Sequence, residues 1–205
     1  MKINFNRAKI TKTRSREGSV LCICSSTAIR YLPLILLSTS GIWAGIRSAG
    51  PEESLLFLCL PAVLSALVEE LLFRGLVYHS ALKLTRSTAF AAILSAVLFG
   101  AGHFAPYAGS AAHTPGDLAV TICQIIYALS AGLMLAELVR TSGSLLPGIV
   151  FHCLNNIFQT IGDKEAALSL FGGNRILLSI VSAAVLSLAF LIYTAYLHFS
   201  AENVQ

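Results

Sequence analysis

The sequence is poor in charge: only 12% of its 205 residues are Asp, Glu, Lys or Arg, against roughly 25% in an ordinary soluble domain. That shortage excludes a fully solvated globular surface. Cysteine patterning is lacking too. Cys22, Cys24, Cys59, Cys123 and Cys153 show no CxxC spacing and fall almost entirely inside apolar segments. They read as small hydrophobes, which excludes a disulfide frame and a thiolate metal site. The chain has no internal repeat and no low-complexity segment. No A-x-A-like site interrupts the first apolar run, which continues past Gly41, and no apolar stretch precedes Cys22. Neither a cleaved signal peptide nor a lipobox is therefore expected.

What is present is apolar. Hydrophobic residues make up 56% of the chain and the mean hydropathy is +0.76, the composition of one polytopic integral membrane domain. The formal charge of +4 is concentrated: of fourteen basic residues, Lys2, Arg7, Lys9, Lys12, Arg14 and Arg16 precede the first apolar run. Such a cluster is a topology signal and can hold a tail near anionic lipid. It does not point to nucleic acid.

Residues 1–18 form this basic cytoplasmic tail and residues 19–200 a single transmembrane helical domain with its core at 55–158. Six spans are expected: from Val20 or Ile29 to Ile46, with Arg30 at its cytoplasmic end, then Ser54 to Leu82, Thr88 to Phe104, Asp117 to Val139, Leu145 to Ile161 and Ile176 to Phe199. Roughly 20 apolar residues suffice for each. Arg47 to Glu53, Lys83 to Ser87, Ala105 to Gly116, Arg140 to Ser144 and Asp163 to Arg175 connect them. The tail, Lys83, Arg86 and Arg140 fall on one side, which places both termini in the cytoplasm.

Within the second span, Glu69, Glu70 and Arg74 interrupt an apolar stretch. Ionisable groups at that depth cost at least a few kcal/mol and are functional-site candidates by default. Glu69 and His103 lie about 25 Å along their helices from the turn at Arg86, while His152 and Asn156 lie roughly 15 and 21 Å from the turn near Ser142. All four are expected in one slab of the membrane. Residues four apart share a helix face, so Glu70 pairs with Arg74 and His152 with Asn156, and Phe99 packs under the His103 ring. Glu69 is left without a local partner, the arrangement of a general base. Taken singly, each group has a structural role open to it. Glu70 with Arg74 can lock helices as an ion pair, and His103, His152, Asn155, Asn156 and Gln124 can hydrogen-bond neighbouring helices. His79, His113 and His198 read as interfacial, and Glu137 as a topology residue. Coincidence of depth across three spans lifts the cluster above these readings.

The motifs EExxxR at Glu69 to Arg74, FxxxH at Phe99 to His103 and HxxxN at His152 to Asn156 occur in that order. Together with Ser142-Gly143-Ser144-Leu145-Leu146-Pro147 they resemble the CAAX-processing and bacteriocin-processing family of intramembrane proteases, also called Abi or type II CAAX endopeptidases. The likeness covers about Leu55 to Phe158. It implies an all-helical membrane endopeptidase acting on a membrane-associated peptide or protein, in a bacterial inner or plasma membrane. Glu69 and His103 would hold and activate the attacking water. Glu70 with Arg74 would organise the site, while His152 and Asn156 would stabilise the oxyanion or complete a polar ligand set.

Zinc is possible, held by Glu69, His103 and His152, but no HExxH is present and the ligands come from separate helices. A metal-free glutamate mechanism that requires no cofactor is the favoured expectation. Two other functions stay open: a non-catalytic binding or immunity protein using the same polar cluster, and a small proton-coupled carrier. The carrier is disfavoured by the lack of inverted repeats.

Overall fold

The computed structural model describes residues 31–47 and 54–202. The basic tail, Arg30, Cys22, Cys24 and most of the first loop lie outside the described residues. The chain divides into two compact units, residues 1–36 and 37–205. Of the first, Tyr31 to Leu36 is described and is helical.

The described residues are mostly helical, with no strand beyond an isolated bridge between Ile46 and Gly162. Helix α1 (Leu55–Glu70) runs without a break through a π-helical stretch (Leu71–Tyr78) into α2 (His79–Thr85). Then follow α3 (Thr88–Gly102), the single turn α4 (Ala105–Ala108), α5 (Pro115–Ser142), α6 (Leu146–Ile161), the short α7 (Lys164–Ser169) and α8 (Arg175–Glu202). Among the described residues, four stretches are long and apolar enough to cross a bilayer: Leu56–Thr85, Thr88–Ala108, Pro115–Ser142 and Arg175–Ser200. Of the remaining two expected spans, the first is described only from Tyr31, from which an apolar helix runs to Ile42, and the other is the 16-residue α6. At 1.5 Å per residue α6 is about 24 Å long, less than the ~30 Å of a hydrocarbon core. The fold is an all-α polytopic membrane protein.

Local chemistry sets the helix ends. Arg86 closes α2 in the left-handed region (φ 59°), and the Ser87 side chain accepts from the Phe90 amide at 3.2 Å to open α3. Thr114 and Asp117 form a reciprocal capping box at the start of α5. Asp117 also pairs with Arg175, joining the first turns of α5 and α8. Pro147 sits in the first turn of α6, where its missing N–H costs nothing. Pro61 lies inside α1, which continues past it.

Lipid inverts the usual pattern of inside and outside. Leu56, Phe57, Leu60, Leu64 and Val68 of α1 are exposed, whereas Ala66, Glu70, Arg74, Tyr78 and Ala81 are buried. Spacing of four, four, four and three puts that second set on one face. It turns ionisable groups toward the bundle interior, as a hydrocarbon solvent requires.

Two layers result. In one, α1 packs on α6, which also takes the 3-10 turn Thr39–Ile42 against its C-terminal end. There Gly41 and Gly162 meet backbone to backbone, leaving no room for a Cβ on either. In the other, α3, α5 and α8 pack side by side. Small residues let α3 and α5 approach, the usual means by which helices pack tightly in lipid. A Cβ on Gly132 would stand 2.9 Å from Ala96 Cα and 3.3 Å from Phe99 Cδ1. Gly132→Ala should therefore push α5 off α3 and cost about 1–3 kcal/mol. A lowered unfolding midpoint in detergent, relative to a lipid-facing control such as Leu188→Ala, checks this.

Candidate active site

Glu70 and Arg74 are fully buried at the seam between the layers. Arg74 Nη1 donates to Glu70 Oε1 at 2.8 Å, and its Nη2 donates to the Gly132 carbonyl across the seam at 3.3 Å. The guanidinium also lies 4.4 Å from the centre of the Phe99 ring, a favourable cation–π distance. The expected i,i+4 pair is thus present, and it is tied to α3 and α5 by a carbonyl and an aromatic face.

His152 of α6 completes the cluster from the other side. Its Nδ1 donates to the same Glu70 Oε1 at 2.8 Å, because a carboxylate in an ion pair can only accept. That bond selects the ring orientation, and Nε2 then faces Glu69 Oε2 at 3.6 Å. The separation is too long for a direct hydrogen bond and suits two groups that address one small third partner. The carboxylates have separate surroundings: Glu70 is buried, whereas the Glu69 side chain keeps 32% of its surface exposed.

His103 lies one residue beyond α3, its amide bonded to the Gly100 carbonyl at 3.1 Å. Its Nδ1 donates to the Phe99 carbonyl at 3.0 Å. Phe99 is the shared platform: its ring meets His103 edge-on at 5.0 Å and His152 at 5.6 Å. The expected contact between Phe99 and His103 is therefore seen. Asn156 turns elsewhere, its Nδ2 donating to the Ala62 carbonyl at 3.3 Å and Ser65 Oγ at 3.4 Å, both on α1. It borders two cavities of about 670 and 510 Å³, the second of which also reaches His103.

Glu69, Glu70, Arg74 and His152 therefore form one contacting group, with His103 adjoining it through Phe99 and Asn156 one turn along α6. Four supports were not legible in the sequence. Gly132 contributes only a carbonyl. Ser95, fully buried, donates to the Phe73 carbonyl at 2.8 Å and pins the π-helical stretch to α3. His79, expected at the interface, donates from Nδ1 to the Arg74 carbonyl at 2.6 Å. Gly148 leaves room for the second Glu70 oxygen, which would lie 3.4 Å from a Cβ there. The only sequence signal for His79 is its position five residues after Arg74, where the wide turns of a π-helix bring it into reach. Glu137, expected as a topology residue, is buried and binds Arg140 twice and His198 once, clamping α8 to α5.

With this geometry in place, the comparison with known families is decisive. Residues 51–158, more than half of the chain, match the family described as type II CAAX prenyl endopeptidase, Rce1-like. The chain belongs to that family. All six candidate site residues fall inside the matched range. No curated protein and no solved structure matches the chain. In general terms, then, it is an integral membrane CAAX-type protease, and its substrate is a peptide or protein in the membrane.

A catalytic zinc takes three protein ligands at 2.0–2.2 Å, and among the described residues no group of three or more His, Cys, Asp or Glu is close enough to hold a metal. Glu69 Oε2 and His152 Nε2 offer two donors, while His152 Nδ1 is committed to Glu70. The residues as placed fall one ligand short of a zinc site.

Because Glu70 is the only anion touching Arg74 among the described residues, Glu70→Ala should strand a buried cation and cost about 3–5 kcal/mol. The yield of monodisperse protein in detergent should collapse, and Glu70→Ala combined with Arg74→Met should recover part of it.

Proposed function

We propose that the protein hydrolyses a peptide bond in a membrane-associated protein or peptide, using a water held and activated by Glu69 and His103. The observation that carries this reading is the division of labour between adjacent carboxylates. Glu70 is spent on Arg74 and on His152 Nδ1, whereas Glu69 keeps an accessible carboxylate 3.6 Å from His152 Nε2. In this mechanism Glu69 takes a proton as the water oxygen attacks the scissile carbonyl. His152, carrying a proton on Nε2 as well as Nδ1, stabilises the resulting oxyanion, for which one well-aimed donor is worth roughly 3–4 kcal/mol; Asn156 joins it on turning its amide from Ala62 and Ser65 toward the substrate. Collapse of the tetrahedral intermediate breaks the C–N bond, and the proton held by Glu69 passes to the leaving amine.

Glu70 and Arg74 act as the frame that holds His152 in register. No cofactor enters any step. Lys83, Arg86 and Arg140 mark the cytoplasmic side, both termini lie there, and the host membrane is a bacterial inner or plasma membrane.

General base removal lowers rates by about 10²–10⁴-fold. Glu69→Gln, expressed to the level of the wild type, should lose cleavage of a membrane-bound substrate to that degree. Undiminished cleavage removes Glu69 as base, and a retained cellular phenotype without cleavage favours the binding or immunity role. Exhaustive chelation of purified protein should leave activity unchanged. Loss of activity that zinc restores overturns the metal-free mechanism.

A further inference from the structure

The helix that carries His152 and Asn156 is held from two sides by adjacent residues. Asn156 bonds α1 at the Ala62 carbonyl and Ser65. Asn155, buried, bonds α5: its Nδ2 donates to Tyr127 Oη at 3.0 Å, and the same hydroxyl lies 3.3 Å from Asn155 Oδ1. Successive residues on a helix point about 100° apart, so the two amides fix the rotation of α6 about its axis. Asn155 is one turn from His152, and a rotation error there is passed directly to the imidazole.

Tyr127 is itself immobilised. Its ring packs at 5.4 Å on Phe190 of α8, which is fully buried and meets Phe151 of α6 edge-on at 6.0 Å. Phe151 directly precedes His152. Tyr127, Asn155, Asn156 and His103 all line the 510 Å³ cavity. Because α6 packs chiefly on α1 and only sparsely on α5, this hydroxyl–amide bond is a main polar tie between the His152 layer and the His103 layer. Its partner across the seam is the Arg74 bond to the Gly132 carbonyl.

We propose that Tyr127 is a positioning residue of the active site: through Asn155 it sets the rotation of α6, and so the direction in which His152 Nε2 faces Glu69. Its hydroxyl touches no reacting atom. The kinetic consequence rests on the hydrolytic reading given above, but the geometric one does not. Misalignment of a reacting group by about 1 Å can cost 10²-fold in rate while leaving binding intact.

The test is Tyr127→Phe in the full-length protein, which removes one oxygen and keeps the ring on Phe190. Protein labelled with ¹⁵N-histidine reports the His152 imidazole, assigned by its disappearance in His152→Ala. The His152 ring resonances should move in Tyr127→Phe and in Asn155→Leu, while those of His198 stay in place and the unfolding midpoint changes by only a few degrees. An unmoved His152 signal overturns the proposal whether or not any substrate is cleaved. With a farnesylated CAAX peptide as probe, kcat should fall about 10-fold or more at unchanged KM, and Tyr127→Phe with Asn155→Leu together should cost no more than either alone, as for residues acting as one unit. Equal losses that add, or a loss confined to KM, also overturn it. If the wild type leaves the peptide uncut, the hydrolytic reading fails for that substrate, and the imidazole resonances still decide the role of Tyr127.

Discussion

A single carboxylate oxygen organises the centre of this bundle. Glu70 Oε1 receives both Arg74 Nη1 and His152 Nδ1 at 2.8 Å. A buried ion pair in hydrocarbon is costly and gains from every further contact its groups make. Phe99 covers the face of the guanidinium and the Gly132 carbonyl meets its far nitrogen, while Glu70 Oε2 and Arg74 Nε have no hydrogen-bond partner among the described residues. Gly132 can present its carbonyl there because it has no side chain to hold α3 away. One buried acid thus dictates where three other helices come close.

The same constraint separates the roles of the two neighbouring acids. Residues adjacent on a helix point in different directions, so they cannot both enter the ion pair. Glu70 is consumed by the structure, and Glu69 is left at the edge of the polar region with an imidazole nitrogen before it. In a membrane enzyme this solves a particular difficulty. The scaffold needs its charges paired and dry, whereas hydrolysis needs one base in contact with water. With Glu69 as the base, as proposed above, consecutive residues would meet both needs within a single turn.

The order of helices and the pairing of Glu70 with Arg74 follow from periodicities short enough to see in one dimension. The contact of Phe99 with His103 has the same origin. Other features escaped for physical reasons. The π-helical stretch from Leu71 to Tyr78 has no proline or glycine pair to announce it, and its wider turns bring His79 under the Arg74 carbonyl. Glu137 looked like a boundary residue because it sits near the end of α5, but its partner His198 lies 61 residues away. His103 lies inside the apolar stretch Thr88–Ala108, as expected, but in the turn between α3 and α4, which no local spacing announces.

By itself the sequence determined that the chain lives in a membrane, which of its polar residues are site candidates, and which residues share a helix face. All three depend on composition, on rise per residue and on spacings of three or four. Only the tertiary structure decided that His152 stands between the two acids, that Asn156 turns to α1 while Asn155 turns to Tyr127, and that Gly132 supplies a carbonyl to Arg74. Each of those depends on how one helix is rotated against another. That rotation is fixed by packing between residues far apart in the chain, for which no local spacing carries a record.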